Sequence, residues 1–219
     1  MAESADVTPP PDETPPPCPR CGKPPALCVC EGIQPIANRV GLIILQHPQE
    51  QDVDLGTARL TALHFKNVVR KVGLSWANLA KARGRPTDPK RWAVLFLGSA
   101  RPAKGDPEIA LVDKRNQPLE DQARLLADLE GVIILDGTWS QAKALWWRNP
   151  WMIKCRRMVL APQHPSRYGK LRKEPRREGL STLESAGLVL SRLEKKPEIE
   201  ATLLASFDRL LTAYRNRAG

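Results

Sequence analysis

Four short runs of consecutive apolar residues punctuate the chain, at residues 40–45, 92–97, 132–135 and 158–161. Unbroken apolar runs of this length, rich in Val, Ile and Leu, are the pattern of strands buried on both faces. Between them the apolar positions recur at helical spacing. In residues 55–72, Leu60, Leu63 and Val68 follow that spacing, with Arg59, Lys66, Arg70 and Lys71 on other faces. Residues 74–82 read as a short helical piece, residues 109–112 as a minor strand, and residues 119–130 as a helix turning Leu125, Leu126 and Leu129 inward. A helix begins at Thr138 or Ser140, on good helix formers. Ser181 with Glu184 forms a capping box opening another, and Ile199, Leu203, Phe207, Leu210, Leu211 and Tyr214 make the helical stripe that closes the core. Strands alternating with helices predict an α/β fold with a largely parallel sheet.

In such folds ligands gather at the carboxyl ends of the strands. The run at 132–135 ends in Asp136-Gly137-Thr138, a polar turn leading into a helix. Asp136 reads either as a turn or capping residue or as a carboxylate held at a ligand edge. The run at 92–97 ends in Gly98-Ser99, where a backbone can approach a ligand closely. The ligand-type loops therefore follow the later strands, at 98–101, 136–140 and 162–184.

Composition adds a partner. The 219 residues carry 34 Lys and Arg against 24 Asp and Glu, a formal charge of +10. That surplus suits a polyanion, most simply nucleic acid. It is concentrated after the fourth strand, where Arg167, Lys170, Arg172, Lys173, Arg176 and Arg177 suit phosphate contacts, with Tyr168 among them to stack a base. No apolar run approaches the roughly 20 residues that span a bilayer, and the acidic, Pro-rich start shows no secretory signal. A cytoplasmic protein is expected.

The first 17 residues read as a disordered tail. They precede Cys18-Pro-Arg-Cys21 and Cys28-Val-Cys30, which can place four thiolates around one tetrahedral ion. The alternative, a disulfide pair, is disfavoured in a cytosolic chain. Four thiolates leave no open coordination position, so a zinc ion held there is structural. The expected organisation is tail 1–17, zinc knuckle 18–35 and one catalytic domain 36–219.

Asp136-Gly137-Thr138-Trp139-Ser140-Gln141-Ala142 resembles the Asp-Thr-Trp signature of the DTW-domain family, in the variant with Gly after Asp. The resemblance runs from about residue 18 to 215. It takes in a Cys cluster ahead of the domain and a His-Pro-x-Glu turn at His47-Pro48-Gln49-Glu50. It also takes in the basic segment from Tyr168 to Pro175 and Ser-Thr-x-Glu at Ser181–Glu184. It implies a SPOUT-related fold with a C-terminal trefoil knot, and transfer of the 3-amino-3-carboxypropyl group of S-adenosylmethionine to N3 of a tRNA uridine. Asp136 is then the catalytic carboxylate. The backbone around Leu97, Gly98, Ser99, Leu135, Gly137 and Thr138 holds the adenosine and amino-acid ends, Trp139 walls the pocket, and Ser181, Thr182 and Glu184 complete it. Trp146, Trp147 and Trp151 are assigned to the core or to an RNA-facing surface. The expected partner is tRNA, with no membrane, and the protein a monomer or homodimer. The rival readings are a SPOUT-type methyltransferase, a ribosomal RNA aminocarboxypropyltransferase, and a non-catalytic zinc-knuckle RNA-binding protein.

Overall fold

The computed structural model describes residues 15–95, 107–169, 171 and 179–218. The apolar runs form the middle of one sheet. β1 (Gly41–Gln46) and β5 (Gly131–Asp136) are buried along their whole length and pair in parallel, Gln46 beside Asp136. β3 (Trp92–Leu95) and β6 (Arg156–Leu160) continue the parallel sheet, β2 (Val68–Val72) forms one edge, and β4 (Ile109–Val112) forms the other, antiparallel to β6. The order is β2-β1-β5-β3-β6-β4.

Alternate residues of the central strands point to opposite faces. Leu42, Ile44, Ala93, Val132 and Ile134 join one apolar cluster, and Ile43, Leu45, Val94, Ile133 and Leu135 join the other. The first is covered by α1 (Ala58–Leu63), α5 (Thr182–Glu194) and α6 (Pro197–Ala218). The second is covered by α2 (Leu79–Arg83) and α4 (Trp139–Arg148). Burying each of these large aliphatic side chains contributes about 1.5–3 kcal/mol, so both faces stabilise the sheet. Gly131 is required by packing: a Cβ there would lie 2.2 Å from the ring of Trp92, which crosses the strand.

The C-terminal stripe is as expected. Ile199, Leu203, Phe207, Leu210 and Leu211 are all buried on α6. The region 55–72 departs from expectation. Only residues 58–63 are helical, and Val68–Val72 is the edge strand β2, in register with β1 from Leu42↔Val68 to Gln46↔Val72. Val68, Val69 and Val72 are β-branched, and the exposed edge of β1 offers them a ladder that outweighs the helical spacing. The helix expected over 74–82 contracts to α2, capped by Asn78 and stopped at Gly84, whose φ of 89° suits glycine. The helix expected over 119–130 is only α3 (Gln122–Ala127). Leu119 instead donates to Leu111 O, and the Gln122 side chain bonds both Leu111 N and O, so these residues serve β4. Leu129 is nevertheless fully buried, as its inward assignment requires.

The Cys-rich segment lies against the first core face. Cys21, Leu27, Cys30 and Ile33 are buried in the same apolar cluster as α5 and α6.

Candidate active site and thiol cluster

β5 is central in the sheet, and its last residue, Asp136, is 8% exposed at the carboxyl edge. Three elements converge on it. Thr182 Oγ1, in the first turn of α5, donates a short hydrogen bond to Oδ1. Gln46 Nε2, at the end of β1, donates to Oδ2 at 2.9 Å and also reaches Glu50 O at 3.2 Å. Arg70 of β2 donates to Gln46 Oε1, which fixes the amide so that its NH2 faces the carboxylate. A guanidinium, an amide and a hydroxyl thus hold one buried carboxylate in a single orientation. His47 N donates to Asp136 O at 2.9 Å and keeps the two strand ends together.

The turn after Asp136 is equally determined. Thr138 caps α4 in a reciprocal box: its backbone N–H donates to Gln141 Oε1 at 2.6 Å, and its hydroxyl accepts from Gln141 N at 3.4 Å. Asp136 is therefore not the cap of this helix. Gln141 Nε2 donates to Gln49 Oε1 at 3.2 Å, joining this turn to the one after β1. A Cβ on Gly137 would sit 2.8 Å from Gln141 Cβ, so this path excludes a larger residue. His47-Pro48-Gln49-Glu50 forms a 3-10 turn with His47 at its cap, a turn-and-cap role.

On α5, Ser181 and Glu184 form the expected capping box. Glu184 does more than cap: it accepts from Ser181 N and Ser166 Oγ at 2.8 Å and from Arg167 N at 2.7 Å, fastening the chain after β6 to the start of α5. Tyr168 is not available to stack a base. It is 3% exposed, its hydroxyl donates to Leu55 O at 2.8 Å, and its ring meets Phe207 edge-on at 4.9 Å.

The second polar centre is the thiol cluster. The sulfurs of Cys18, Cys21, Cys28 and Cys30 all lie within 4.8 Å of one another, with Cys18–Cys30 and Cys28–Cys30 at 3.5 Å and Cys21–Cys28 at 3.7 Å. Four thiolates at about 2.3 Å from one tetrahedral ion stand roughly 3.8 Å apart, so the donor set fits a metal with little movement. Backbone N–H donation around Cys21 brings the Cys18 thiol down to about 6, whereas burial and its neighbouring thiols push Cys30 up. An ion binding here must displace the protons of the raised thiols. Arg59 of α1 fastens the loop by donating to Arg20 O at 3.0 Å and Pro19 O at 2.7 Å. Lys23 runs inward from the cluster and donates to Val53 O and Asp54 O, both at 2.7 Å. Burial pulls its pKa down to about 8, against the opposing charges of Asp54, Cys21 and Asp136.

Residues 15–215 match the DTW domain. This chain belongs to the DTW-domain family. Three curated relatives carry the name tRNA-uridine aminocarboxypropyltransferase 2. The Macaca fascicularis protein is 30% identical over 209 residues, covering 89% of this chain and 62% of its own. The Drosophila melanogaster protein is 30% identical over 194 residues, covering 85% and 70%. The Mus musculus protein is 30% identical over 199 residues, covering 89% and 62%. The chain thus spans less than two thirds of the length of the macaque and mouse relatives. No solved structure matches it.

In this DTW chain the signature stretch is the end of β5 and the start of α4. The structure brings Leu135, Asp136, Gly137, Thr138, Trp139, Ser181, Thr182 and Glu184 to one edge of the sheet. Leu97, Gly98 and Ser99 lie outside the described residues, as do Lys170, Arg172, Lys173, Arg176 and Arg177. Arg167 is exposed and bonded to Asp208. Sequence reasoning missed Gln46, Arg70 and Lys23 as neighbours of the site. The one available signal was that Gln46 ends the strand pairing with β5, and that pairing is not written locally.

Proposed function

We propose that this protein transfers the 3-amino-3-carboxypropyl group of S-adenosylmethionine to N3 of a tRNA uridine, releasing 5'-methylthioadenosine. The observation that carries the reading is the buried Asp136, held by Gln46 and Thr182 at the carboxyl edge of the central strand, in a DTW chain whose relatives bear that enzyme name. The chemistry forms an N3–carbon bond and breaks a carbon–sulfur bond, whose electron pair leaves with sulfur. N3 is a poor nucleophile while it keeps its proton, so a positioned carboxylate serves as base or orienter. Asp136 takes that role, with Thr182 and Gln46 as the groups that aim it. In-line approach of donor and uridine supplies much of the rate. The adenosine and amino-acid ends are assigned to Leu97, Gly98, Ser99, Leu135, Gly137 and Thr138, with Trp139, Ser181, Thr182 and Glu184 around them.

Cys18, Cys21, Cys28 and Cys30 would hold a structural zinc ion, which supplies cross-linking of the loop. Arg167, Lys170, Arg172, Lys173, Arg176 and Arg177 are assigned to tRNA phosphates. The SPOUT relationship, with its C-terminal trefoil knot, the division into tail, knuckle and catalytic domain, and a cytoplasmic location belong to the same proposal. No helix of the described residues is long and apolar enough to cross a membrane.

The test is chromatography of the nucleoside by-product after incubation with tRNA and S-adenosylmethionine. Methylthioadenosine is expected. S-adenosylhomocysteine would instead establish methyl transfer.

A further inference from the structure

Among the described residues the exposed large hydrophobic side chains are Trp147, 78% exposed, and Ile153, 66% exposed. Both belong to one stretch of surface. α4 buries Ala142 and Leu145 against the sheet and turns Ser140, Lys143 and Trp147 outward on a single stripe, three and four residues apart. Arg148 ends the helix, and the 3-10 turn Pro150–Lys154 that follows buries Trp151 and Met152 and leaves Ile153 and Lys154 in solvent. Along the sequence no Asp or Glu stands between Asp136 and Glu174, so this stretch carries only cations of its own. An indole this exposed does nothing for the core. Its neighbours Trp146 and Trp151 are differently engaged, Trp146 lying under Arg157 at 5.7 Å and Trp151 donating to Trp76 O at 2.8 Å.

We propose that the outer face of α4 and the following turn, formed by Lys143, Trp147, Arg148, Ile153 and Lys154, is a docking surface for tRNA, with Trp147 stacking on an unpaired base. This rests on the tRNA reading above and extends it to a surface that the basic segment after β6 does not include. The combination of a flat π-face with flanking cations is what single-stranded nucleic acid requires, since bases stack on the ring while Lys and Arg meet phosphates. The placement also fits the proposed chemistry. α4 starts directly after the Asp136 turn, and Trp147 stands eight residues from Trp139, about 12 Å along the helix, close to the length of about four stacked nucleotides at 3.4 Å each. A strand stacked on Trp147 can therefore deliver a nearby uridine to the edge at Asp136. A second copy of this chain is a poorer occupant. A two-fold contact would set Lys143, Arg148 and Lys154 against the same cations of the partner.

The experiment is tRNA binding by full-length protein, followed over a salt series, for the wild type, Trp147→Ala, Trp147→Phe and the triple variant K143E/R148E/K154E. Removing one stacked base should weaken binding about 5- to 100-fold for Trp147→Ala, with Trp147→Phe recovering most of the loss. The triple variant should flatten the dependence of affinity on salt by about two to three units of slope. Because these side chains are exposed, thermal unfolding should move by no more than about 2 °C. Wild-type affinity and salt slope in all three variants, with the wild type still modifying tRNA, would overturn the docking surface and leave the proposed function standing. A wild type that neither binds nor modifies tRNA would overturn both. Sedimentation showing a dimer that Trp147→Ala dissociates, with tRNA affinity unchanged, would assign the face to self-association instead.

Discussion

The protein has two polar centres, and they are built in opposite ways. The thiol cluster draws its four sulfurs from residues 18–30, one continuous loop. The carboxylate centre draws Asp136 from β5, Gln46 from β1, Arg70 from β2 and Thr182 from α5, elements that meet only when the sheet and its covering helices are in place. A local cluster is set by spacing and can be completed by an ion. A centre assembled across the fold is set by packing, and each partner acts through the geometry of the others. The first kind suits a staple and the second a positioned reactive group. Lys23 links the two, reaching from the thiol loop to the carbonyls of Val53 and Asp54 and feeling the charge of Asp136.

The contrast can be broken at either end. The largest effect is expected for Asp136→Ala, which should lower the single-turnover transfer rate by about 100- to 10,000-fold while tRNA affinity stays close to wild type. An active variant would remove the carboxylate from the mechanism. Next comes Cys18→Ser combined with Cys21→Ser. Native mass spectrometry should show one zinc ion lost, and calorimetry a destabilisation of about 3–5 kcal/mol, or roughly 10 °C in Tm. A metal-free wild type would end the staple reading. Thr182→Ala should cost about tenfold in kcat with little change in KM, and Thr182→Ser should restore most of it, because the hydroxyl that orients Asp136 returns. Equal loss in both variants would mean that the methyl group, and so packing, is what matters.

The effect confined to stability at acid pH, rather than to either centre, comes last. His64 is 1% exposed, and its ring nitrogens meet no hydrogen-bond partner among the described residues. Burial, with Arg209 adding to it, lowers its pKa to about 4. The unfolded chain takes up this proton near pH 6.5, before the folded one does. The His64 contribution to stability is therefore intact above about pH 6.5 and declines as the pH falls toward 4, by at most about 3 kcal/mol. Denaturant titrations of His64→Leu should lack that part of the acid slope. An identical slope in the variant would place the titrating group elsewhere.

The same contrast explains what the sequence made legible. The apolar runs that became β1, β3, β5 and β6 are read from local composition, and the Cys spacing gave the thiol cluster outright. Residues 68–72 read wrongly because their helical spacing is local and their pairing with β1 is not. Tyr168 sat in a basic stretch that suggested RNA, yet its contacts with Leu55 and Phe207 come from distant parts of the chain. Asp136 stood out through its motif, but Gln46 and Arg70 have no signature of their own. They matter because β1 lies between β2 and β5. The capping role of Glu184 is legible locally, whereas its bonds to Ser166 and Arg167 depend on where the chain after β6 lies.

The measurement that bears most directly on the central claim is nucleoside mass spectrometry of unmodified tRNA after a reaction with wild-type protein and S-adenosylmethionine, with Asp136→Ala run beside it. A uridine heavier by one aminocarboxypropyl group is expected with the wild type and almost none with the variant. A methylated nucleoside, or equal product from both proteins, would contradict it.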